Sequence, residues 1–210
     1  MIVSFNEVES TILKAARGAG MEWGLAEEAA QAARFLARFR LPFETPFLHL
    51  FSTRAWEATP VLEGARLRSG RADGWLCPIR AGAHLSDLGE ACVTRLERLV
   101  SPLLILPFAS RAMAKTDVAW NEVRLRVGPL GIMLVSGEVR ALAASQAEEV
   151  SLSSFEGGWT GAWTHEGSAG GAVIEDASWA RLQEYEALTY VPASAKSRSS
   201  GAGAGAIDND

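Results

Sequence analysis

Cysteine, histidine and long apolar runs are all scarce in this sequence. It holds two cysteines and three histidines among 210 residues, and neither cysteine belongs to a Cys-x-x-Cys pair. Zinc-finger and paired-dithiol sites are therefore excluded, and Cys77 and Cys92 are predicted to be partly buried thiols of a reducing cytoplasm. The longest apolar run, from Pro102 to Ala109, is far too short to cross a bilayer. We expect a soluble cytoplasmic protein with no signal peptide and no membrane partner.

An excess of positive charge is also missing. Lysine and arginine total 20 against 25 aspartates and glutamates, which gives a net charge of −5. Basic and aromatic residues are not interleaved, and the group of Arg66, Arg68 and Arg71 is predicted to be a solvated loop or strand face. Because nucleic acids attract a clustered positive surface, we expect no nucleic-acid partner.

What the sequence does have is enough apolar material for one substantial core. Hydrophobic residues make up 48% of the 210 positions, and a chain of this length can bury a core without disulfides or metals. We predict a single domain over residues 1–210, with a helical part over about 1–55, a sheet-containing part over about 56–192 and a tail over 193–210.

Two amphipathic segments at the start predict a helical hairpin. Ser4 followed by Glu7 has the spacing of a capping box, and the apolar helical face that follows stops at Gly18 and Gly20. A second helical face runs over residues 25–38. The short glycine-containing link between the two segments favours antiparallel packing.

A stripe of phenylalanines continues from the second helix. Its members recur every four residues and are Phe35, Phe39, Phe43, Phe47 and Phe51. Pro42 and Pro46 interrupt a single continuous helix, so we predict a kink followed by a short third helix. A stripe of this kind is more typical of a core than of a cofactor site.

The middle of the chain predicts a mostly antiparallel sheet. Alternation over residues 118–127 and the apolar run 130–135 flank Gly128-Pro129, which indicates a hairpin. Further strands are expected at residues 74–80, 103–108, 139–143 and 150–155, and a helix at residues 90–99. The run 103–108 is interpreted as a strand buried on both faces.

The end of the chain completes the predicted architecture. Asp176 begins the last helix and Pro192 ends it, after which a glycine- and alanine-rich tail follows. We predict an α+β fold with an N-terminal helical hairpin, a mostly antiparallel central sheet, a C-terminal helix and an ordered tail.

A loop rich in glycine and tryptophan, over residues 157–171, is the first candidate site. Its glycines and its two tryptophans, Trp159 and Trp163, indicate a loop that a side chain or ligand approaches closely. His165 beside Glu166 is the best acid–base candidate in the sequence. No G-x-S-x-G turn occurs, so we expect no serine nucleophile of the esterase type.

The tail is the second candidate site. Its candidate ligand-binding residues are Arg198, Gly201, Gly203 and Gly205. The glycine amides can turn toward an anion, and Arg198 can add a bidentate grip. The alternative, which we favour, is that Arg198 pairs with Asp208 or Asp210 and fastens the tail to the body. These acidic residues could hold a hard cation, but a solvated acidic end is the simpler interpretation, and we expect no metal or other cofactor.

The most distinctive stretches of the chain are residues 18–28 and 192–210. They are the sharpest motifs of a start, residues 5–39, and an end, residues 189–210, that resemble an uncharacterised bacterial domain-of-unknown-function family (family 3726). The resemblance covers the whole chain by order and length and implies no known activity or site residue. The helical hairpin alone is similar to the N-terminal region of type-two malate/lactate dehydrogenases, which have an NAD fold unlike the Rossmann fold. That family carries a functional histidine in a Ser-His-Gly segment, whereas residues 41–50 here contain His49 without it. No cofactor residue can therefore be carried over.

Three functions fit these observations. The first, favoured by the lack of a complete catalytic constellation, is a non-enzymatic accessory protein that binds a small molecule or a protein partner. The second is a small-molecule metabolic enzyme that uses His165, Glu166 and Arg198 around the glycine-rich loop. The third is a structural homodimer built on exposed aromatics of the phenylalanine stripe.

Overall fold

The computed structural model describes residues 1–88, 93–113, 115–128, 131–155, 163–165 and 170–190, with the backbone alone for residues 88 and 163–165. Helices and strands are mixed along these ranges, so the predicted α+β class is confirmed. The helices are α1 (Phe5–Gly18), α2 (Trp23–Arg38), α3 (Glu44–Thr53), α4 (Pro78–Leu88), α5 (Leu106–Ala112) and α6 (Asp176–Ala187). The strands are β1 (Ile2–Val3), β2 (Pro60–Glu63), β3 (Arg66–Ser69), β4 (Arg95–Val100), β5 (Thr116–Trp120), β6 (Val123–Gly128), β7 (Gly131–Ser136), β8 (Gln146–Ser154), β9 (Trp163–His165) and β10 (Ala172–Val173).

The predicted helical hairpin is confirmed as α1 and α2. Ser4 is the N-cap of α1, and its Oγ accepts a hydrogen bond from the backbone N–H of Glu7 at 3.1 Å. The chain reverses at Gly20, whose φ of +93° suits glycine. The inner face of α2 is rich in buried alanines, and such small side chains let the two helix axes approach closely.

The phenylalanine stripe lies in the core. Phe39, Phe43, Phe47 and Phe51 are each 8% exposed or less, and the last two belong to α3, the short third helix that the sequence predicts. The chain buries these four rings itself, and Phe35 is the one member of the stripe that is partly exposed. Homodimerisation stays a prediction without support from these residues.

An eight-stranded sheet lies at the centre of the fold, in the order β2-β3-β4-β8-β5-β6-β7-β9. Among its described strand pairs only β3 and β4 run parallel, so the prediction of a mostly antiparallel sheet is confirmed. The predicted hairpin across Gly128 is the pair β6–β7. Buried and more exposed residues alternate along β5 and β6, which indicates that one face of the sheet covers the core.

The apolar run 103–108 is helical, and the prediction of a buried strand is wrong. Residues 102–105 form a 3-10 turn that leads directly into α5. Pro102 and Pro107 each lie in a first helical turn, where the missing N–H of proline costs no intrahelical hydrogen bond. A short apolar run has no periodicity that distinguishes a buried strand from a buried helix.

Three other predicted elements are also wrong. In the segment 74–80, Leu76 forms only an isolated bridge to Leu99, and α4 begins at Pro78. In the segment 90–99, residues 95–99 belong to strand β4, whose alternation is broken because Arg98 has a left-handed φ of 53°. Residues 139–143 form a 3-10 turn instead of a strand.

The last helix joins the C-terminal part of the described chain to its start. Helix α6 begins at Asp176, as the sequence predicts, and packs against α1 and α3. Just before it, β10 pairs with β1 in a separate two-stranded ribbon. The predicted helix end at Pro192 and the tail 193–210 lie outside the described residues, and the single-domain boundaries stay a prediction. None of the described helices has the length and apolar character that a membrane crossing needs.

Candidate functional site

The sequence-predicted site residues are only partly within the described chain. Trp163 and His165 belong to β9, where their backbones pair with Leu134 and Ile132 of β7. The remaining candidates lie outside the described residues: Trp159, Glu166, Arg198, Gly201, Gly203 and Gly205. Both the catalytic hypothesis and the tail hypothesis therefore stay predictions.

Close to β9 in the sheet lies a partly buried ion pair that the sequence did not single out. Arg126 pairs in register with Met133, which pairs in turn with Thr164 of β9. The guanidinium of Arg126 donates from Nε and Nη2 to the two carboxylate oxygens of Asp117, at 2.8 and 3.0 Å. The same guanidinium lies 3.8 Å from the centre of the Phe155 ring. The ion pair and the ring contact together hold the Arg126 guanidinium in one position on the sheet close to β9.

A cavity lies away from β9, where three parts of the chain that are distant in sequence meet. Its volume is about 620 Å³. The lining residues come from the end of α2 and the turn into α3, from the 3-10 turn after β7, and from β10: Ala37, Arg40, Leu41, Pro42, Phe43, Glu44, Val139, Gly171, Ala172 and Val173. A concave, mostly apolar cavity with few charged groups is the usual form of a small-molecule site.

The backbone at the end of α2 places Arg40 at this cavity. The N–H of Leu41 donates to the carbonyl of Leu36 at 2.9 Å, and the N–H of Arg40 donates to the carbonyl of Ala37 at 3.0 Å. This pair of hydrogen bonds is a Schellman motif, in which the residue after the C-cap adopts the left-handed conformation. Arg40 has that conformation, with φ of 54°. Glycine is the usual residue at this position, because a side chain there strains the backbone.

Arg40 is the unpaired charge of the cavity. Its side chain has no hydrogen-bond or ion-pair partner among the residues that the structure describes. The carboxylate of Glu44, the other charged lining group, is occupied by backbone amides. Its Oε2 accepts the N–H of Phe43 at 3.2 Å, and its Oε1 accepts the N–H of Glu175 at 3.4 Å. The cavity therefore presents one free guanidinium beside apolar walls.

The opposite wall is the ribbon of β1 and β10. Val173 pairs with Ile2 and is 82% exposed, and Val139 on the adjoining 3-10 turn is 53% exposed. A Cβ atom on Gly171 would lie 2.4 Å from the carbonyl oxygen of Val3, so only glycine lets β10 approach β1 this closely. Gly171 is also the last residue of the glycine- and tryptophan-rich loop that the sequence singles out.

Ser101 and Cys77 carry potentially nucleophilic side chains, but both lie in the core and are unsuited to catalysis. Ser101 sits in a left-handed conformation between β4 and a 3-10 turn, a position comparable to that of an esterase nucleophile. It is fully buried, however, and its Oγ donates to the carbonyl of Pro46 at 2.9 Å. Cys77 is 1% exposed, and burial raises the pKa of its thiol to about 11. Neither side chain meets a substrate in this arrangement.

No metal-binding group accompanies the cavity in the described part of the chain, where no three or more His, Cys, Asp or Glu side chains are arranged to hold an ion. Sequence analysis missed the cavity because its walls are far apart along the chain. One pattern could have indicated it: the helix ends at Phe39-Arg40-Leu41-Pro42, with arginine where glycine is expected.

Comparison with known proteins supports the resemblance at the N-terminus. A family model described as a protein of unknown function (DUF3726) matches residues 3–54, the region of α1, α2 and α3. No curated protein and no solved structure matches the chain. The predicted resemblance to an uncharacterised family is thus confirmed over this region, and the similarity to malate/lactate dehydrogenases stays unconfirmed. The matched region includes six of the cavity-lining residues, from Ala37 to Glu44.

Proposed function

We propose that this protein binds a small organic anion, a carboxylate with an apolar group attached, in the Arg40 cavity without transforming it. The observation that carries the proposal is the guanidinium of Arg40, which has no partner among the described residues and sits at a strained backbone position beside apolar walls. Strain of this kind persists where surrounding structure enforces it, and it is concentrated at functional positions.

The chemistry of the cavity supports a carboxylate as the bound group. A guanidinium offers several N–H donors in a planar fork that matches the two oxygens of a carboxylate. Pro42, Val139 and Val173, which line the cavity and are at least partly exposed, provide apolar surface for the rest of the ligand. The volume of about 620 Å³ falls within the range of small-molecule sites.

The same lining favours binding over catalysis. Acid–base chemistry needs a proton donor or acceptor that can reach the substrate. The guanidinium group of an arginine offers hydrogen-bond donors and no acceptor, so it does not serve as a general base. The carboxylate of Glu44 already accepts two backbone N–H groups, from Phe43 and Glu175. A binding protein that serves a neighbouring enzyme or regulator is consistent with this set of groups, and we further propose a bacterial, cytoplasmic setting, which suits the free thiol of Cys77.

Calorimetric titration with straight-chain monocarboxylates, from acetate to octanoate, tests the proposal. Each added CH₂ group that becomes buried contributes about 0.8 kcal/mol, so affinity should rise roughly fourfold per group until the cavity is full. Affinity that is independent of chain length, or equal affinity for the corresponding alcohols, would contradict an apolar carboxylate site.

Two arginine variants locate the binding. Arg40→Gly preserves the left-handed turn and removes the guanidinium, so affinity should fall by about tenfold or more. Arg38→Ala removes an exposed arginine that does not line the cavity, two residues away on the same helix, and should leave affinity unchanged. Equal losses in both variants would show a general charge effect instead of a site at Arg40.

A further inference from the structure

A second, smaller cavity lies at the other end of α3. Its volume is about 190 Å³. Glu44, at the start of α3, lines the larger cavity, whereas Thr53 and Arg54, at the end of α3, line this one. The remaining walls come from Ala55 and Ala58 and from the turn over residues 69–75 that follows β3. This site is therefore separate from the proposed carboxylate site.

Two arginines of this second cavity converge on one carboxylate. Arg54 donates from Nε to Oε1 of Glu57 at 2.7 Å, and Nη2 of Arg71 lies 3.7 Å from Oε2 of the same residue. The second distance is too long for a hydrogen bond, so the guanidinium of Arg71 makes none with the residues that the structure describes. The arrangement shows that the two guanidiniums can hold a carboxylate between them.

Glu57 is only loosely held in this position. The side chains of Arg54, Arg71 and Glu57 are 56, 64 and 40% exposed. Ion pairs between groups this exposed contribute little to stability, because water competes for both partners. A carboxylate from outside can therefore replace that of Glu57 at small cost.

Arg54, like Arg40, occupies a left-handed helix end where glycine would be favoured. It follows α3 with φ of 51°, and its N–H donates to the carbonyl of Leu50 at 3.2 Å. A side chain at such a position strains the backbone, and this strain is the second observation that marks the cavity.

A negative charge completes the lining. Asp73 faces the cavity and has no hydrogen-bond or ion-pair partner among the described residues. It would repel a simple anion bound at Arg54 and Arg71, but it can pair with a positive group on the same ligand. The side chains of Ala55, Ala58 and Trp75 add a short apolar wall.

The geometry points to a site for a small zwitterion of the α-amino acid class. The ligand carboxylate replaces that of Glu57 between Arg54 and Arg71, and the ligand ammonium pairs with Asp73. Any ligand side chain is short and apolar, because it has to fit beside Ala55 and Ala58. Glu57 is the internal competitor that an entering ligand displaces.

Calorimetric titration with L-alanine, propionate and ethylamine tests this assignment. In the Arg40→Gly variant, which lacks the proposed carboxylate site, L-alanine should bind, while propionate and ethylamine, which lack one charge each, should bind about fivefold more weakly or not at all. Equal binding of propionate and L-alanine overturns the role of Asp73. Absence of L-alanine binding to both the wild-type protein and the Glu57→Gln variant overturns the site.

Four variants assign the groups. Arg71→Gln and Asp73→Asn should each weaken L-alanine binding by about twofold to fivefold, whereas Glu57→Gln, which removes the internal competitor, should strengthen it. The matched control is Arg66→Gln, which removes an exposed arginine that pairs with Glu97 outside the cavity. Weaker binding in Glu57→Gln overturns the displacement model, because it would make Glu57 part of the site.

A variant of one proposed site should leave ligand binding at the other site unchanged. Arg40→Gly should leave L-alanine binding unchanged, and Arg71→Gln should leave the binding of long monocarboxylates unchanged. Loss of both ligands in either variant would indicate one shared site and overturn the assignment of a separate zwitterion site. Circular dichroism melting of every variant separates a lost contact from a lost fold.

Discussion

Nζ of Lys14 on α1 donates a hydrogen bond to Oε1 of Glu186 on α6 at 2.8 Å, although 172 residues separate the two in sequence. The same oxygen accepts the hydroxyl of Tyr190 at 2.7 Å. Glu186 is 7% exposed, so its charge is stabilised mainly by these partners. The cluster ties the last described helix to the first one.

Removal of the Glu186 carboxylate should weaken this connection. Glu186→Ala is expected to lower the free energy of unfolding by about 1–3 kcal/mol, because the hydrogen bonds that the ionised carboxylate accepts from Lys14 and Tyr190 are lost. Urea unfolding followed by circular dichroism measures the change. Glu184→Ala, on the exposed face of the same helix, is the control and should change stability by about 0.5 kcal/mol or less. Equal effects of the two substitutions would show that the hydrogen bonds of Glu186 contribute nothing to the free energy of unfolding.

The stability that Glu186 provides should depend on pH. Burial raises the pKa of Glu186, but the hydrogen bonds from Lys14 and Tyr190 and the charge of Lys14 together outweigh it, so the folded-state pKa lies below the usual value. In the unfolded chain the pKa of a glutamate is about 4.3. The unfolded state therefore takes up the proton first as pH falls, and the contribution is present above about pH 4.3 and lost below it.

Comparison with Glu186→Gln isolates this effect. The difference in free energy of unfolding between the wild-type protein and Glu186→Gln should be constant near neutral pH and should shrink as pH falls below about 4.3. Urea titrations at a series of pH values give this difference. A gap that grows in acid would mean that the folded-state pKa of Glu186 is raised.

Two helical glycines should respond to alanine in opposite ways. A Cβ atom on Gly82 of α4 would lie 2.1 Å from Cγ of the buried Phe108 on α5. Gly82→Ala should therefore destabilise the protein by about 1–3 kcal/mol through overpacking. Gly24 of α2 has no atom within 4 Å of such a Cβ. Gly24→Ala should stabilise by up to about 1 kcal/mol, because alanine favours the helix. Thermal melting of both variants tests the pair, and a stabilised Gly82→Ala variant would contradict the packing of α4 on α5.

The thiol of Cys77 should be inert in the folded protein. Burial raises its pKa to about 11, so almost none is thiolate at neutral pH. In a Cys92→Ser background, a thiol reagent at about pH 8 should label Cys77 only after denaturant is added. Rapid labelling of the native protein would show that Cys77 is accessible and its environment polar.

Replacement of Arg40 by glycine should stabilise the fold while it weakens ligand binding. The left-handed conformation costs an arginine about 1–2 kcal/mol, and glycine removes this strain. Part of the resulting stabilisation is lost, because glycine has greater conformational freedom than arginine in the unfolded chain. The net increase in the free energy of unfolding should be about 0.5–1 kcal/mol, measured by urea unfolding. A destabilised variant would mean that the Arg40 side chain supports the fold and is not reserved for a ligand.

The N-terminal helices and the β6–β7 hairpin could be predicted from the sequence because their patterns are local. The cap at Ser4 and the helical spacing of apolar residues in α1 act within a few residues, and so does the alternation from Val123 to Val127. The run 103–108 could not be assigned in this way, because an apolar segment is compatible with a strand or a helix until its neighbours are known.

Like the state of the run 103–108, the two cavities could not be predicted from local sequence, because tertiary structure forms them. Arg40 and Val173 lie on one cavity although they are far apart in sequence, and Glu57 meets Arg71 only because residues 69–75 fold back against the end of α3. The effect on stability of replacing a glycine by alanine also depends on neighbours that are distant in sequence, as the contrast between Gly24 and Gly82 shows.

The sequence by itself determined the α+β class, the helical hairpin, the start of the last helix and the burial of the phenylalanine stripe, because periodicity and capping are short-range. Tertiary structure decided the strand order, the helical state of residues 102–112 and the convergence of charged groups on two cavities. These features arise from contacts between segments that only the folded chain brings together, and no local pattern encodes them.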